Sequence, residues 1–237
     1  MTEDRSEWAE LAEWWHNEVS MDSTYRSAVV PLVVEIAGSG QLLLDLGCGE
    51  GQMMQALSGP DRIVVGCDIN AHLLGMAAAK GPTVRVSLPD LECFAGAAFD
   101  GAVMVLVLEH VNDADALFAG AFRIVRPGGW FALVVNHPIV TAPGSASVVD
   151  PTDGEVFWRP GTYLTSSPTL ERAGDHTVTF HHRPLGALLT TAARSGWVLE
   201  ELIETDAAGY SAAPAQSGVP TLLAARWVRP GLPPAAG

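Results

Sequence analysis

The order of apolar segments predicts an α/β fold built around a mostly parallel sheet. Runs of strand length alternate with helical patterns through the middle of the chain, and this alternation builds a parallel sheet through right-handed crossovers. The first strand, QLLLDL, is apolar almost throughout, as is typical of a strand covered on both faces. It leads directly into a glycine-rich loop and then a helical pattern.

The remaining elements follow from the same periodicity. Before the first strand, we predict helices over residues 6–19 and 22–36, the second interrupted by Pro31. After it, we predict helices over 52–57, 71–79 and 114–125, the last with Asp113 as N-cap, and strands over 62–67, 83–86, 99–108 and 130–135. A helix over 184–195 and two strands, WVLEELIE and PTLLAARWV, close the fold.

Length and composition indicate one domain in the cytoplasm. The chain has 237 residues, of which 48% are hydrophobic, and can bury a core without disulfides or a structural metal. The three cysteines lack CxxC spacing and a nearby histidine, so we predict no metal site. No apolar run has the length of a membrane helix, and the acidic start MTEDRSEWAE is unlike a secretory signal. We expect no membrane partner.

The charge of the chain argues against nucleic acid as a partner. The formal net charge is −14, and no cluster of Lys or Arg offsets it locally, so a phosphate backbone would be repelled. A small-molecule partner is therefore expected. The sequence leaves the oligomeric state open between monomer and homodimer.

The most specific signal is the loop DLGCGEG, from Asp45 to Gly51. Glycines at this place let the backbone approach a ligand. Dinucleotide enzymes use the related G-x-G-x-x-G turn to hold a pyrophosphate, but here the spacing is G-x-G-x-G. Asp45 could accept a hydrogen bond from an ammonium group and would repel phosphate. The loop favours a zwitterionic amino-acid cofactor, and a dinucleotide-dependent oxidoreductase is the weaker alternative.

Two more acids follow the next strands. Asp68 ends strand two in VVGCDIN, where an acid takes both ribose hydroxyls in either cofactor family. Asp90 follows strand three in LPDLE, where its carboxylate could accept from the exocyclic amine of adenine. Either acid alone could be an ordinary residue at the end of a strand. Their order after the glycine loop indicates that they belong to a cofactor site.

With these segments, and with FDGAVMVLVLEHVND and RPGGWFALVV, the chain resembles the class I S-adenosylmethionine-dependent methyltransferases over residues 41–135. The resemblance implies a doubly wound, seven-stranded, Rossmann-like sheet with its last strand reversed. It implies S-adenosylmethionine as cofactor and S-adenosylhomocysteine as product. The positions assigned to the cofactor are Asp45, Gly47, Cys48, Gly49, Gly51, Asp68, Ile69, Asn70, Asp90, Leu91, Leu106 and His110.

The pattern along the chain divides the single domain, 1–237, into functional parts. We expect an N-terminal helical cap over 1–37, a cofactor-binding core over 38–136, and an insert over 137–183 that covers the acceptor. The last helix and strands occupy 184–229, and 230–237 form a tail. Periodicity is lost within the insert, and a loop this long in a compact domain is usually functional. Aromatic residues of the cap and insert could close over a flat acceptor or serve as core.

Methyl transfer needs positioning more than functional groups, because in-line attack on a sulfonium depends on distance, alignment and exclusion of water. A general base adds about 10²- to 10⁴-fold when the acceptor is a hydroxyl, and histidine suits neutral pH. His137 follows strand five and His182 precedes the last helix. These two histidines are the predicted base or acceptor-positioning residues.

The resulting hypothesis is a methyltransferase for a small-molecule acceptor, with oxygen slightly favoured over nitrogen or carbon, in secondary metabolism. The alternative is a protein that binds S-adenosylmethionine without transferring its methyl group, in a regulatory or cyclisation-assisting role.

Overall fold

The structure is a computed structural model that describes residues 23–173, 175–206 and 218–231. The predicted helix over 6–19 and most of the predicted tail lie outside these ranges. So do Trp8, Trp14 and Trp15, the aromatic residues of the cap that could close over a flat acceptor. No helix in the described ranges combines the length and apolar character needed to cross a membrane.

The described elements alternate as the sequence predicts. Up to the end of the fifth strand they are α1 (Ser23–Ile36), β1 (Leu42–Leu46), α2 (Gln52–Leu57), β2 (Ile63–Asp68), α3 (Ala71–Ala77), β3 (Thr83–Arg85), β4 (Phe99–Val105), a 3₁₀ turn (Leu108–His110), α4 (Ala114–Ile124) and β5 (Val125–Asn136). They continue with α5 (Pro138–Thr141), β6 (Ala146–Val149), β7 (Val156–Arg159), β8 (Ser167–Ala173), β9 (His176–His182), α6 (Leu185–Arg194), β10 (Val198–Thr205) and β11 (Leu222–Val228).

Seven strands form the main sheet in the order β10-β11-β5-β4-β1-β2-β3. Strands β1 to β5 pair in parallel with their neighbours, whereas β11 is antiparallel to both β5 and β10. The predicted mostly parallel sheet with a reversed last strand is confirmed. The carboxyl ends of β1, β2, β4 and β5 consequently meet at one edge, where open α/β sheets bind ligands.

Each face of the sheet is covered by its own hydrophobic core. On one face an aromatic cluster of Phe118, Phe131, Trp197 and Trp227 is almost fully buried, with Phe118 edge-on to Trp227 at 5.5 Å between ring centroids. On the other face, residues of α1 and α2 pack with β1 and β5. Aromatic side chains contribute large buried areas, so this two-sided packing accounts for the apolar character of the central strands.

The insert is more regular than its sequence predicts. We expected irregular chain over 137–183, but the structure has the short helix α5 and two antiparallel hairpins, β6–β7 and β8–β9. Each strand pairs only with its hairpin partner, and several large side chains stay exposed, with Leu170 74% accessible. Apart from Val178 and His182 in β9, no side chain described in these four strands is buried, so the apolar alternation by which a strand is recognised is weak.

Two strand boundaries differ from the prediction by three residues or more. Strand β4 ends at Val105 rather than residue 108, because Leu106 has a φ of 55° and turns the chain out of the extended conformation. Strand β5 begins at Val125 rather than residue 130. Pro127 and Gly128, which the prediction leaves between helix and strand, lie within β5, where the Gly128 N–H donates to the Arg229 carbonyl.

Candidate cofactor and acceptor site

The glycine loop connects β1 to α2 at the carboxyl edge. Gly47, Gly49 and Gly51 have φ values of 76°, 53° and 87°, a left-handed region in which a side chain costs about 1 kcal/mol or more. The N–H groups of Gly47 and Cys48 both donate to the Cys67 carbonyl, at 2.8 and 2.9 Å. These hydrogen bonds fix the loop to the end of β2. Because every second residue of the loop is glycine, no side chain covers its backbone at those positions.

Gly47 is also required by close packing. A Cβ at this position would lie 2.5 Å from Cγ2 of Val107, a distance that real Cβ atoms do not reach. Val107 follows Leu106 directly after β4, and the Leu106 N–H donates to the Val134 carbonyl at 2.8 Å. The predicted cofactor residue Leu106 is thus buried and held beside the glycine loop.

Asp68 joins the loop to the end of β2. Its Oδ2 accepts from the Gly49 N–H at 2.9 Å, and its Oδ1 accepts from the Asn70 N–H at 2.8 Å. Burial raises the pKa of Asp68, and these backbone hydrogen bonds oppose that rise. Because a carboxylate has about four lone-pair sites, both oxygens keep acceptor capacity for a ribose diol.

Asp45 is a buried carboxylate at the inner end of the loop. It is 2% exposed, and within the described ranges its Oδ2 has no hydrogen-bond partner. Burial and, to a smaller extent, the nearby Asp68 charge raise the pKa of Asp45 to about 7. An uncompensated buried carboxylate is costly, and an ammonium group would satisfy both its charge and its open oxygen.

Three other predicted cofactor residues, Cys48, Ile69 and Asn70, are buried or make contacts within the local structure. Asn70 caps α3, because its Oδ1 accepts from the His72 and Leu73 N–H groups. The Ile69 carbonyl accepts from Nε of Arg85 at 2.9 Å. Cys48 is buried, and burial raises the pKa of its thiol, so it is present as the neutral thiol.

Asp90 and Leu91 lie together after β3. Asp90 is exposed, and its Oδ1 accepts from the Glu92 N–H at 3.0 Å. Leu91 is 2% exposed and packs in the hydrophobic core beneath the edge. A polar acceptor beside an apolar surface is the combination that an adenine ring and its amine require.

His110 contacts the insert. Its Nδ1 lies 3.2 Å from the Thr179 carbonyl, so this nitrogen carries the hydrogen. The ring meets Phe180 edge-on at 4.6 Å between centroids. Burial lowers the pKa of His110 to about 4, so the ring is neutral at physiological pH. His110, which the sequence assigns to the cofactor, therefore fastens hairpin β8–β9 to the 3₁₀ turn.

His137 has both ring nitrogens engaged. Its Nδ1 accepts from the Ile139 N–H at 3.0 Å, which leaves Nε2 to donate to Oε1 of Glu204 at 2.7 Å. Burial lowers the pKa of His137, and Glu204 opposes that change. The ring caps α5 and ties it to β10. A role as base stays a prediction, and it would require His137 to leave these partners.

His182 is held in the same way inside the insert. It is 2% exposed, its Nε2 lies 2.7 Å from the Tyr163 carbonyl, and its Nδ1 lies 3.1 Å from the Thr141 hydroxyl. A carbonyl accepts only, so Nε2 donates and Nδ1 accepts from Thr141. The predicted base role of His182 likewise stays untested, and its contacts are those of a structural residue.

Sequence reasoning missed Glu109 and Arg183. Glu109 is 6% exposed, and its Oε1 accepts from the backbone N–H and Nδ2 of Asn136 at 2.7 and 3.0 Å. Arg183 donates to the carbonyls of Leu108, Val111 and Asn112, and so holds the turn that carries Glu109. An acid directly after a buried strand, in LEHV, was the available signal.

The site contains no evident metal centre in the described part of the chain, where no group of three or more His, Cys, Asp or Glu could hold an ion. S-adenosylmethionine does fit the residues present. The unpaired oxygen of buried Asp45 matches the amine of the cofactor, and the glycine backbone, which no side chain covers, matches its carboxylate-bearing chain. The Asp68 carboxylate, held by two backbone N–H groups, matches its ribose. All three groups lie along one edge of the sheet.

Comparisons with known proteins agree with this geometry. A family described as methyltransferase domain matches residues 44–133. The crystal structure of an S-adenosylmethionine-dependent methyltransferase from Mesorhizobium loti has a TM-score of 0.68 and 26% identity, covering 86% of this chain and 97% of that one. Residues 44–133 thus match a methyltransferase domain, and the fold is similar to that of S-adenosylmethionine-dependent methyltransferases of class I.

Two relatives carry names with a specific reaction. The ubiquinone biosynthesis O-methyltransferase of Thiobacillus denitrificans is 34% identical over 99 residues, 39% of this chain and 43% of that protein. The tRNA (carboxymethyluridine(34)-5-O)-methyltransferase of Arabidopsis thaliana is 32% identical over 113 residues, 45% of this chain and 26% of that protein. The chain therefore spans less than two thirds of the length of either relative.

Proposed function

We propose that this protein transfers the methyl group of S-adenosylmethionine to a small-molecule acceptor, with oxygen favoured as the methylated atom. The observation that carries the proposal is the buried Asp45 carboxylate with one open oxygen, beside a glycine loop whose backbone is bound to Asp68. This arrangement suits an amino-acid nucleoside with a positive charge and disfavours a diphosphate.

In this mechanism the chain binds and orients. The cofactor, when bound, supplies an electrophilic methyl group on a sulfonium. Asp45 would accept from its ammonium group, Asp68 would accept from both ribose hydroxyls, and Asp90 and Leu91 would hold the adenine. Leu106, held beside Gly47, would lie near the methyl group, and the acceptor would approach over the ends of β4 and β5.

Several observations support a small acceptor. The net charge of −14 opposes a phosphate backbone, and the insert with its two hairpins follows β5 directly at the binding edge. The insert is attached there through His110, His137 and Arg183. The name of the Thiobacillus relative favours oxygen. The name of the Arabidopsis relative gives tRNA as its acceptor. The test must therefore also be able to detect methylation of a nucleic acid.

The test is methyl incorporation from S-adenosylmethionine labelled at the methyl group. Purified protein is incubated with phenols, catechols, primary amines and total tRNA, and both labelled product and S-adenosylhomocysteine are quantified. We expect label in a phenol or catechol, in equal amount to S-adenosylhomocysteine. Label in tRNA alone would contradict the small-molecule assignment. Cofactor binding with no labelled product from any acceptor would favour the non-transferring alternative.

A further inference from the structure

Two buried carboxylates at the binding edge share an unusual property. In the described chain, the only side-chain carboxylate oxygens that are buried without a hydrogen-bond partner are Oδ2 of Asp45 and Oε2 of Glu109. Buried polar atoms are nearly always paired. Leaving one unpaired is unfavourable, the more so when the group is charged. Each of these oxygens therefore indicates a group that the protein binds from outside.

Glu109 is fixed so that one oxygen is used and one is spare. Asn136 donates twice to Oε1, so the carboxylate cannot rotate without losing both hydrogen bonds. The Arg183 guanidinium is near enough to favour the ionised form, but burial outweighs it and the pKa of Glu109 is raised. Hydrogen bonds from Arg183 go to backbone carbonyls instead, so Oε2 receives none of them.

The position of Glu109 separates it from the cofactor residues. Asp45 lies in β1 and Glu109 follows β4, and these strands are neighbours in the sheet. Asn136 ends β5, the next strand outward. Val107, which a Cβ on Gly47 would meet, lies in the segment between β4 and Glu109. Glu109 is thus on the β4–β5 side of the edge, where the proposed mechanism places the acceptor rather than the amino-acid part of the cofactor.

We propose that Glu109 binds the acceptor through Oε2, and that the acceptor consequently presents a hydroxyl or amine hydrogen to this oxygen. The inference rests on the proposed function and narrows its substrate class: acceptors without a hydrogen-bond donor are excluded. Because Oε2 is buried, a segment of the chain that covers it must move before the acceptor can reach it. Hairpin β8–β9 is the neighbouring element, since β9 contacts the turn that carries Glu109.

Three monosubstituted benzenes, two with a hydrogen-bond donor and one without, test this inference. Phenol offers a hydroxyl, benzylamine offers an ammonium, and toluene offers no donor. Each is titrated by NMR into the protein saturated with S-adenosylhomocysteine. We expect phenol or benzylamine to bind at least about tenfold more tightly than toluene, as one charge-assisted hydrogen bond allows. Whichever of phenol and benzylamine binds more tightly indicates whether the acceptor group is a hydroxyl or an amine.

Two variants assign the preference to Glu109. Glu109→Gln keeps an oxygen for Asn136 but places an NH₂ donor at Oε2, so benzylamine should lose its advantage. Glu109→Leu removes the advantage of both polar probes and leaves toluene unchanged. Glu200→Gln makes the same charge change in β10, where Glu200 pairs with Arg226, and should bind all three probes as the wild type does. Thermal unfolding of each variant checks that it is folded.

The inference is overturned if neither polar probe binds better than toluene in the wild type, or if Glu109→Gln and Glu109→Leu both keep the preference. Failure of S-adenosylhomocysteine to bind the wild type would instead contradict the proposed function, so the two failures are distinguishable.

Discussion

Oδ2 of Asp68 accepts a hydrogen bond of 2.9 Å from the backbone N–H of Gly49. This contact links the acid at the end of β2 to the middle of the glycine loop that follows β1. The residue that would bind the ribose therefore also sets the shape of the loop that would bind the methionine part. Substitutions at the two places should act on one property, cofactor affinity.

Asp68→Ala should weaken S-adenosylhomocysteine binding by about 10- to 100-fold. The change removes hydrogen bonds to the ribose and releases the Gly49 N–H, and hydrogen bonds with a charged partner contribute about 1.5–3 kcal/mol each. Calorimetric titration measures the loss. Asp61→Asn, an exposed acid in the turn before β2, is the control and should bind normally. Equal affinity of Asp68→Ala and wild type would contradict the assignment.

Gly47→Ala should abolish cofactor binding and lower stability by about 1–3 kcal/mol. The new Cβ would require a strained left-handed conformation and would meet Val107 at 2.5 Å. Gly59→Ala is the matched control, because a Cβ there meets nothing within 4 Å. Chemical denaturation and S-adenosylhomocysteine titration report the two effects. If both alanine variants behave alike, close packing at Gly47 is not the reason for its glycine.

The raised pKa of Asp45, about 7, predicts pH-dependent cofactor binding. Binding an ammonium group requires the ionised carboxylate, so a proton must be released when Asp45 is protonated. Affinity for S-adenosylhomocysteine should fall as the pH drops from 8 to 6, by up to about tenfold. Titrations in buffers of different ionisation enthalpy should show proton release near pH 6.5. The Asp45→Asn variant should bind weakly and without this pH dependence.

The same pKa makes a separate prediction about the free protein. A carboxyl whose pKa is raised on folding stabilises the protein while protonated, and this contribution is lost as the pH rises through about 7. Asp45→Asn should therefore be more stable than wild type at pH 8, and the difference should shrink at pH 5. Thermal unfolding without ligand measures it. A variant less stable at pH 8 would indicate that the carboxylate is stabilised by the fold.

His137→Ala should lower stability by about 1–3 kcal/mol, because it removes the cap of α5 and the bond to Glu204. Burial lowers the pKa of His137, so its contribution is present above the unfolded pKa of about 6.5 and is lost as the pH falls below it. Unfolding at pH 8 and pH 5 should show a larger effect of the variant at pH 8. Loss of methyl transfer with unchanged stability would instead support a base.

Much of the fold could be predicted because its strands are buried on both faces. Helix α2 has the predicted bounds, and β2, α3 and α4 differ from prediction by one or two residues. The hairpins of the insert were not predicted because few of their side chains are buried. At the site, the glycine loop could be predicted from the sequence, because the spacing of its residues and the absence of side chains determine its conformation.

The functions of individual polar residues were less predictable. His110, His137 and His182 stand at plausible positions in the sequence, but their hydrogen-bond partners, the carbonyls of Thr179 and Tyr163 and the Glu204 carboxylate, lie 19 to 69 residues away along the chain. The position of Glu109 after a strand is visible in the sequence, but only the fold shows that one of its oxygens is buried and unpaired.

The central claim is that this edge binds an amino-acid nucleoside rather than a dinucleotide, and calorimetric titration of the unmodified protein tests it most directly. We predict saturable binding of S-adenosylhomocysteine at close to one molecule per chain, with no heat from NAD under the same conditions. Binding of NAD, or no binding of S-adenosylhomocysteine at millimolar concentration, would contradict the account.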